Sequence, residues 1–181
     1  MKRTIVALFC TVLATAAISA SAQVVPSATG RKLSVTAGGL GSVFQPDYAG
    51  TGIAQTSPNR LYGVGAFVDV RVNRWIQLEA EGHWMRFNPY LGITEDTYLA
   101  GPRIPIHRFG RATPYGKAMF GFGTGPFLLG HATTFAFGGG LDYRLTKRIS
   151  LRAFDFEYQE WRVNPTLLPY GGSVGLGYKI F

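Results

Sequence analysis

The sequence contains one cysteine among 181 residues, Cys10, and it sits in an apolar stretch at the N-terminus. A lone cysteine provides no disulfide framework and no thiolate metal site. Charge is sparse too: 15% of residues are charged, and 10 acidic side chains face 18 basic ones. Past the N-terminal stretch, no run approaches the roughly 18 continuous apolar residues of a membrane-crossing helix. No segment sustains a helical period, and the 24 glycines are scattered throughout, which weakens helices. These shortages exclude a disulfide-stapled scaffold, a helical membrane protein and a helix bundle. They leave strands, whose membrane-crossing hydropathy signal is much weaker than that of helices.

The N-terminus carries its own pattern. Met1-Lys2-Arg3 is basic, Thr4 to Ile18 is apolar, and Ala20-Ser21-Ala22 supplies small residues at the positions read by signal peptidase. The stretch is short for a bilayer span. Residues 1–22 are therefore expected to be a signal peptide, with residues 23–181 forming one domain and Gln23 the new N-terminus. Phe9 precedes Cys10 where a lipoprotein signal needs a small residue. Removal of Cys10 with the leader leaves an exported chain stabilised by packing and backbone hydrogen bonds alone. The formal charge of +8 could suit nucleic acid, but for an exported chain anionic lipid or lipopolysaccharide is the more relevant expected partner.

From Leu33 onward apolar and polar residues alternate in segments of about ten, the period that sends successive side chains to opposite faces of a strand. About eight strands are expected, at 31–44, 60–72, 75–87, 97–107, 113–124, 133–145, 149–161 and 172–181, after a lead at 23–30. Tight connections at 73–74, 107–112 and 146–148 alternate with longer ones at 45–59, 88–96, 125–132 and 162–171. One end of the sheet thus has turns and the other has loops, as in up-and-down barrels of outer membranes. Strands of this length, tilted, match the bilayer core.

One row of each segment is greasy and the other ionic. Tyr62, Val64, Ala66, Val68 and Val70 oppose Asp69 and Arg71; Ile76, Leu78, Ala80 and Trp84 oppose Glu79, Glu81 and His83. Arg103 and Lys117 stand against apolar rows in the fourth and fifth segments, and Asp142 and Arg144 in the sixth. Lys or Arg on a lipid face near the midplane costs roughly 2–4 kcal/mol, so these rows are expected to turn inward and pair. Asp155 and Glu157 join them in the seventh segment. There the same phase turns Arg152 outward, which requires either the membrane interface or a bulge. Tyr62, Trp84, Tyr98, Phe135 and Tyr158 gather toward the loops, and Trp75, Tyr143 and Tyr178 toward the turns. Two lipid-facing aromatic girdles would produce that clustering.

The chain resembles the small outer-membrane β-barrel family of the OmpA/OmpX type, also called the porin family. The resemblance is carried by Pro114-Tyr115-Gly116-Lys117-Ala118, by Gly138-Gly139-Gly140-Leu141-Asp142-Tyr143-Arg144-Leu145, and by the terminal Gly175-Leu176-Gly177-Tyr178-Lys179-Ile180-Phe181. It implies an insertion signal read by the barrel-assembly machinery through the last strand. Phe181 and Tyr178 are its candidates, with Lys179 where the family favours an apolar residue.

Candidate chemistry is thin. Glu79, Glu81 and His83 share one strand face and could in principle ligate a metal or work as acid and base. An interior charge ladder with Arg71, Arg103, Lys117 and Arg144 is the simpler expectation, because buried charges demand partners. Ser34, Ser42, Ser57, Ser150 and Ser173 have no His neighbour in sequence, so a hydrolase constellation is not expected. The glycine clusters lack the strand-to-helix setting of a phosphate loop. Arg60, Arg86 and Arg162 near the loops could meet lipopolysaccharide phosphates, although a solvated rim is the simpler reading.

The expectation is an all-β, eight-stranded antiparallel up-and-down transmembrane β-barrel in the bacterial outer membrane, with no cofactor and no appended domain after Phe181. Its role would be structural or surface-interacting, through loops whose partner the sequence leaves unnamed. The alternatives are a narrow small-solute channel and a soluble exported lipocalin-like carrier with Val64, Val68, Phe135 and Phe137 turned inward.

Overall fold

The computed structural model describes residues 33–48, 60–87, 93–126, 128 and 130–181. The expected signal peptide at 1–22 and the lead at 23–30 lie outside the described residues. Eight strands follow one another: β1 Ser34–Gln45, β2 Leu61–Arg71, β3 Gln77–Phe87, β4 Glu95–Pro105, β5 Ala112–Thr124, β6 Ala132–Arg144, β7 Ile149–Arg162 and β8 Tyr170–Lys179. Each pairs antiparallel with the next, and β1 pairs with β8, so the sheet closes into a barrel. Closure leaves no unpaired edge, which lets backbone polar groups cross lipid satisfied.

The turns explain where strands stop. Asn73 Oδ1 accepts hydrogen bonds from the backbone N–H of Trp75 at 2.7 Å and of Ile76 at 2.8 Å, a side-chain-closed turn. β3 consequently begins at Gln77, two residues later than alternation alone suggests. Thr146 Oγ1 does the same for Arg148 and Ile149, at 3.1 and 2.9 Å. In the β4–β5 turn, Gly110 adopts φ +60°, a left-handed conformation that glycine takes without steric cost.

The lipid and lumen faces are unambiguous. Val64 is 54% exposed and Phe137 56%, while Asp69 retains 8% and Glu79 2%. Apolar side chains therefore cover the outside and ionic ones fill the inside. The soluble-carrier alternative needs the reverse and is overturned by this arrangement.

The packed interior has a distinct composition at each level. Toward the loops, Phe44, Tyr48, Leu61, Met85 and Ile93 form one apolar cluster; Ala132, Trp161 and Leu167 form another. Leu99, Met119 and Ala136 pack together within the lumen. Asp69, Glu79, Glu81, Arg103, Lys117, Arg152, Asp155 and Glu157 are all buried.

β7 contains the one departure from simple alternation that matters for the interior. Asp142 pairs with Arg152 and Leu141 with Phe154, and pairing to β8 also shifts between Arg152 and Asp155. The extra residue, Ala153, makes a β-bulge that resets the phase. Arg152 and Asp155 thus both point inward, and Arg152 is buried to 1% exposure. Of the two ways to accommodate Arg152 that alternation left open, the bulge is the one used.

Candidate functional site

The ionic layer is organised around three cations. Lys117 on β5 sends its ammonium among carboxylates from β3 and β7. Nζ lies 2.9 and 3.0 Å from the two Glu81 oxygens, 3.0 Å from Asp155 Oδ2 and 2.9 Å from Glu157 Oε2. Arg152 on β7 grips Glu79 on β3 with both ends of its fork: Nη1 donates to Oε1 at 3.0 Å and Nη2 to Oε2 at 2.8 Å. The same guanidinium donates to Asp69 Oδ2 at 3.3 Å and to Asp155 Oδ2 at 3.2 Å. Arg103 on β4 donates to Asp142 Oδ2 at 2.5 Å and to Gln77 Oε1 at 2.6 Å. Its Nε stands 3.1 Å from Glu79 Oε2. Paired forks of this kind are the strongest of side-chain hydrogen bonds.

Aromatic faces support the cations. The Arg103 guanidinium lies 3.5 Å above the Tyr115 ring, and that of Arg152 3.8 Å above Phe67, contacts favoured by the ring quadrupole in a dry site. Room for Tyr115 is made by Gly140 on β6. A Cβ at position 140 would meet the Phe154 carbonyl oxygen at 2.1 Å and the Tyr115 hydroxyl at 2.6 Å. Only glycine fits there without displacing the ring on which Arg103 rests.

His83 closes the layer toward the loops. Its Nδ1 is 3.0 Å from Ser42 Oγ, which is 2.8 Å from Ser173 Oγ, and its Nε2 stands 3.5 Å from Glu81 Oε1. Ser42 has a histidine partner after all, one placed by the β1–β2–β3 pairing at a separation of 41 residues. A Ser–His–Glu chain resembles a hydrolytic triad in composition. Ser42, His83 and Glu81 are, however, all buried, and the Phe44 ring packs edge-on at 5.4 Å from His83. A nucleophile needs an approach path for its substrate, and this chain of hydrogen bonds is packed within the lumen.

The carboxylates also bear on metal binding. Ligand atoms of Glu81, His83 and Glu157, and separately those of Glu79, Glu81 and Asp155, lie within 4.8 Å of one another. Lys117 Nζ already stands among both sets. It supplies the positive charge that a divalent ion would bring, at distances normal for ion pairs, so the donor set is matched to an ammonium.

The remaining residues singled out by sequence are placed as follows. Arg71 and Arg144 are exposed at the turn-end mouth and lie outside these ion pairs. Tyr62, Tyr98, Tyr143 and Tyr158 face outward; Trp84 donates to the Tyr98 hydroxyl at 2.9 Å. Phe135 packs against Phe120 at 5.1 Å and under Arg162 at 5.3 Å. Trp75 belongs to the β2–β3 turn, beneath Arg74 at 4.9 Å. Tyr178 faces outward and accepts from Arg148 at 3.1 Å, while the exposed Phe181 accepts from the Val35 backbone at 3.1 Å. At the loop end Arg86 pairs with Asp96 and Arg162 with Glu160. Beyond the strands, burial and then the neighbouring Glu95 carboxylate push the Tyr48 phenol well above its ordinary range. Sequence reasoning left Arg152 unplaced and missed the contacts of Ser42 and Tyr115, while Gln159 follows the inward phase that alternation gives Asp155 and Glu157. Gln159 donates to Glu157 at 2.5 Å and accepts from Trp161 at 2.7 Å.

A family model described as "Outer membrane protein beta-barrel domain" matches residues 10–179. No curated protein sequence is matched. Among solved structures, the chain is similar to Neisserial surface protein A, with 14% identity and a TM-score of 0.56 over 81% of this chain and 96% of that one. It is also similar to the N-terminal β-barrel domain of Pseudomonas aeruginosa OprF, with 13% identity, a TM-score of 0.49 and coverage of 81% and 97%. For Ail, the attachment invasion locus protein of Yersinia pestis, the values are 17%, 0.47, 82% and 97%. At such identities the likeness is one of fold.

Proposed function

Because the chain belongs to the outer membrane protein beta-barrel domain family and is a bacterial outer-membrane barrel, we propose that it is a non-enzymatic structural or surface-interaction protein whose lumen is sealed by its own side chains. One observation carries this reading: Arg103, Lys117 and Arg152 are locked among carboxylates across the lumen. A barrel of eight strands has room for side chains and little else. An ion entering it would have to displace these pairs, each desolvated and costly to break.

Further parts of the reading concern the ends of the chain and its surroundings. Residues 1–22 serve as the signal peptide, and the mature domain is 23–181. Tyr178 on the last strand and Phe181 just past its end present the insertion signal to the assembly machinery. The aromatic girdle anchors the barrel in lipid and lipopolysaccharide, and the loops meet a partner outside the cell. The mass of the protein recovered from outer membranes checks the leader, since cleavage after Ala22 starts the chain at Gln23.

Planar-bilayer recording of the purified barrel tests the seal. No unitary current steps are expected. Reproducible steps, abolished when the protein is heat-unfolded before addition, would replace this reading with the narrow solute channel.

A further inference from the structure

At the turn end the barrel mouth opens into a cavity of about 530 Å³. Its floor is the lower surface of the ionic layer, with Asp69, Arg103, Tyr115 and Asp142. Its walls are the first inward-facing positions of the strands, and three carry cations: Arg71, Arg144 and Lys179. The register places a hydroxyl opposite each one. Ser34 pairs with Arg71, Thr36 with Lys179 and Ser150 with Arg144. Each wall cation thus has an O–H donor beside it on the neighbouring strand, and none has a carboxylate there.

The rim adds charge of the same sign. Arg74 comes from the β2–β3 turn, Arg108 and Arg111 from β4–β5, and Lys147 and Arg148 from β6–β7; all line the cavity. Counter-charge is missing. All 10 acidic residues of the chain are described, and Asp47, Glu95, Asp96 and Glu160 belong to the loop end. The others fill the ionic layer. Asp69 and Asp142 alone reach this cavity, and both are engaged by Arg103 and Arg152. Among the described residues, no wall or rim cation enters an ion pair. A concave site of one sign with low-dielectric walls focuses its field and concentrates counter-ions.

We propose that this vestibule is a binding site for a compact, multiply charged oxyanion of the di- or triphosphate class. Arg71, Arg144 and Lys179 hold its charge, and Ser34, Thr36 and Ser150 donate to its remaining oxygens. Guanidinium forks match phosphate oxygens in pairs, and hydroxyls complete the donor set. Phospholipid headgroups share the phosphate chemistry, but they reach a barrel from its outer side. Arg71, Arg144 and Lys179 belong to the inward rows, and the outer row at this level carries the exposed apolar Val72 and Leu145. The occupant is therefore a solute on the barrel axis. The inference concerns a site the proposed function does not use, and it stands whether or not the lumen conducts.

The test uses the folded full chain in phosphatidylcholine nanodiscs, titrated calorimetrically with inorganic tripolyphosphate at low ionic strength. Saturable binding at one site per barrel is expected. Arg71→Gln with Arg144→Gln should weaken it at least roughly tenfold, Arg71→Lys with Arg144→Lys should retain most of it, and the loop-end Arg60→Gln should leave it unchanged. All variants lie at exposed positions, and near-ultraviolet circular dichroism checks their folding; if the double Gln variant misfolds, Lys179→Gln serves as the same readout. Absence of saturable binding, or equal affinity in the Gln variants, would overturn the site. Equal weakening by Arg60→Gln would reduce it to diffuse surface charge and overturn it as well. Repeating the titration in phosphatidylglycerol nanodiscs separates the sources. An unchanged ratio of wild-type to double-Gln affinity, in which the negative potential of the anionic disc itself cancels, supports the solute, whereas collapse of that ratio toward one would give the site to lipid headgroups.

Discussion

At the loop end the lumen closes on Phe44, Leu61, Met85, Trp161 and Leu167, all nearly inaccessible, whereas at the turn end it widens into a cavity walled by Arg71, Arg144 and Lys179. The strands entering the two mouths are the same; the connections differ. Long connections bring residues such as Tyr48, Ile93 and Leu167 back over the opening, and burial of apolar area then holds them there. Turns of a few residues have nothing to fold back. Inward positions beside them meet water, where a charge needs no partner. Between the two mouths lies the level at which every charge must be matched. Connection length thus sets which chemistry each end of the tube can carry.

Four perturbations probe that contrast. Lys117→Met removes the ammonium from among Glu81, Asp155 and Glu157 and leaves uncompensated buried carboxylates; a loss of about 3–5 kcal/mol is expected in denaturant unfolding of the refolded barrel. A loss below the effect of an exposed Lys substitution would show that the middle level is wet like the turn end. Val68→Arg puts a cation on the lipid face and should cost about 2–4 kcal/mol in bilayers, measured as a lower unfolding midpoint. Gly140→Val drives a side chain into Tyr115 and should cost about 1–3 kcal/mol through overpacking, with a changed tyrosine signal in near-ultraviolet dichroism. Arg71→Gln with Arg144→Gln should shift stability by less than about 0.5 kcal/mol. It should raise the melting temperature slightly at low salt, by relieving repulsion. That gain should vanish near 1 M salt, where the screening length is about 3 Å.

Much of this was readable from alternation. Asp69, Glu79 and Glu81 fall on rows whose opposite faces are Val68, Leu78 and Ala80, and a period of two leaves no other assignment once the outside is lipid. Facing does not specify meeting, however. Which carboxylate reaches Arg152 depends on strand stagger around the closed barrel, a global quantity carried by no short segment. The same holds for Ser42 and His83, which are remote in sequence and adjacent only through pairing. Arg71 and Arg144 show a related limit: they share an inward row with Asp69 and Asp142, yet one position along a tilted strand separates matched interior from open mouth. The bulge at Ala153 did leave a trace. Leu151 and Phe154 are both apolar with Arg152 and Asp155 beside them, a spacing of three where two was due. That slip marks a phase reset.

The ionic layer also bears on how the tube is made. Arg152 comes from β7, yet its carboxylate partners Asp69 and Glu79 come from β2 and β3, on the far side of the strand order. A sheet that is still flat holds these groups apart, and they come within reach only as the first and last strands meet. Rolling up and the pairing of Arg152 with Asp69 and Glu79 therefore happen in one event. This cross-barrel part of the layer acts as a latch that engages only on a completed cylinder, whereas the contacts of Arg103 with Gln77 and Glu79 on the adjacent β3 can form earlier.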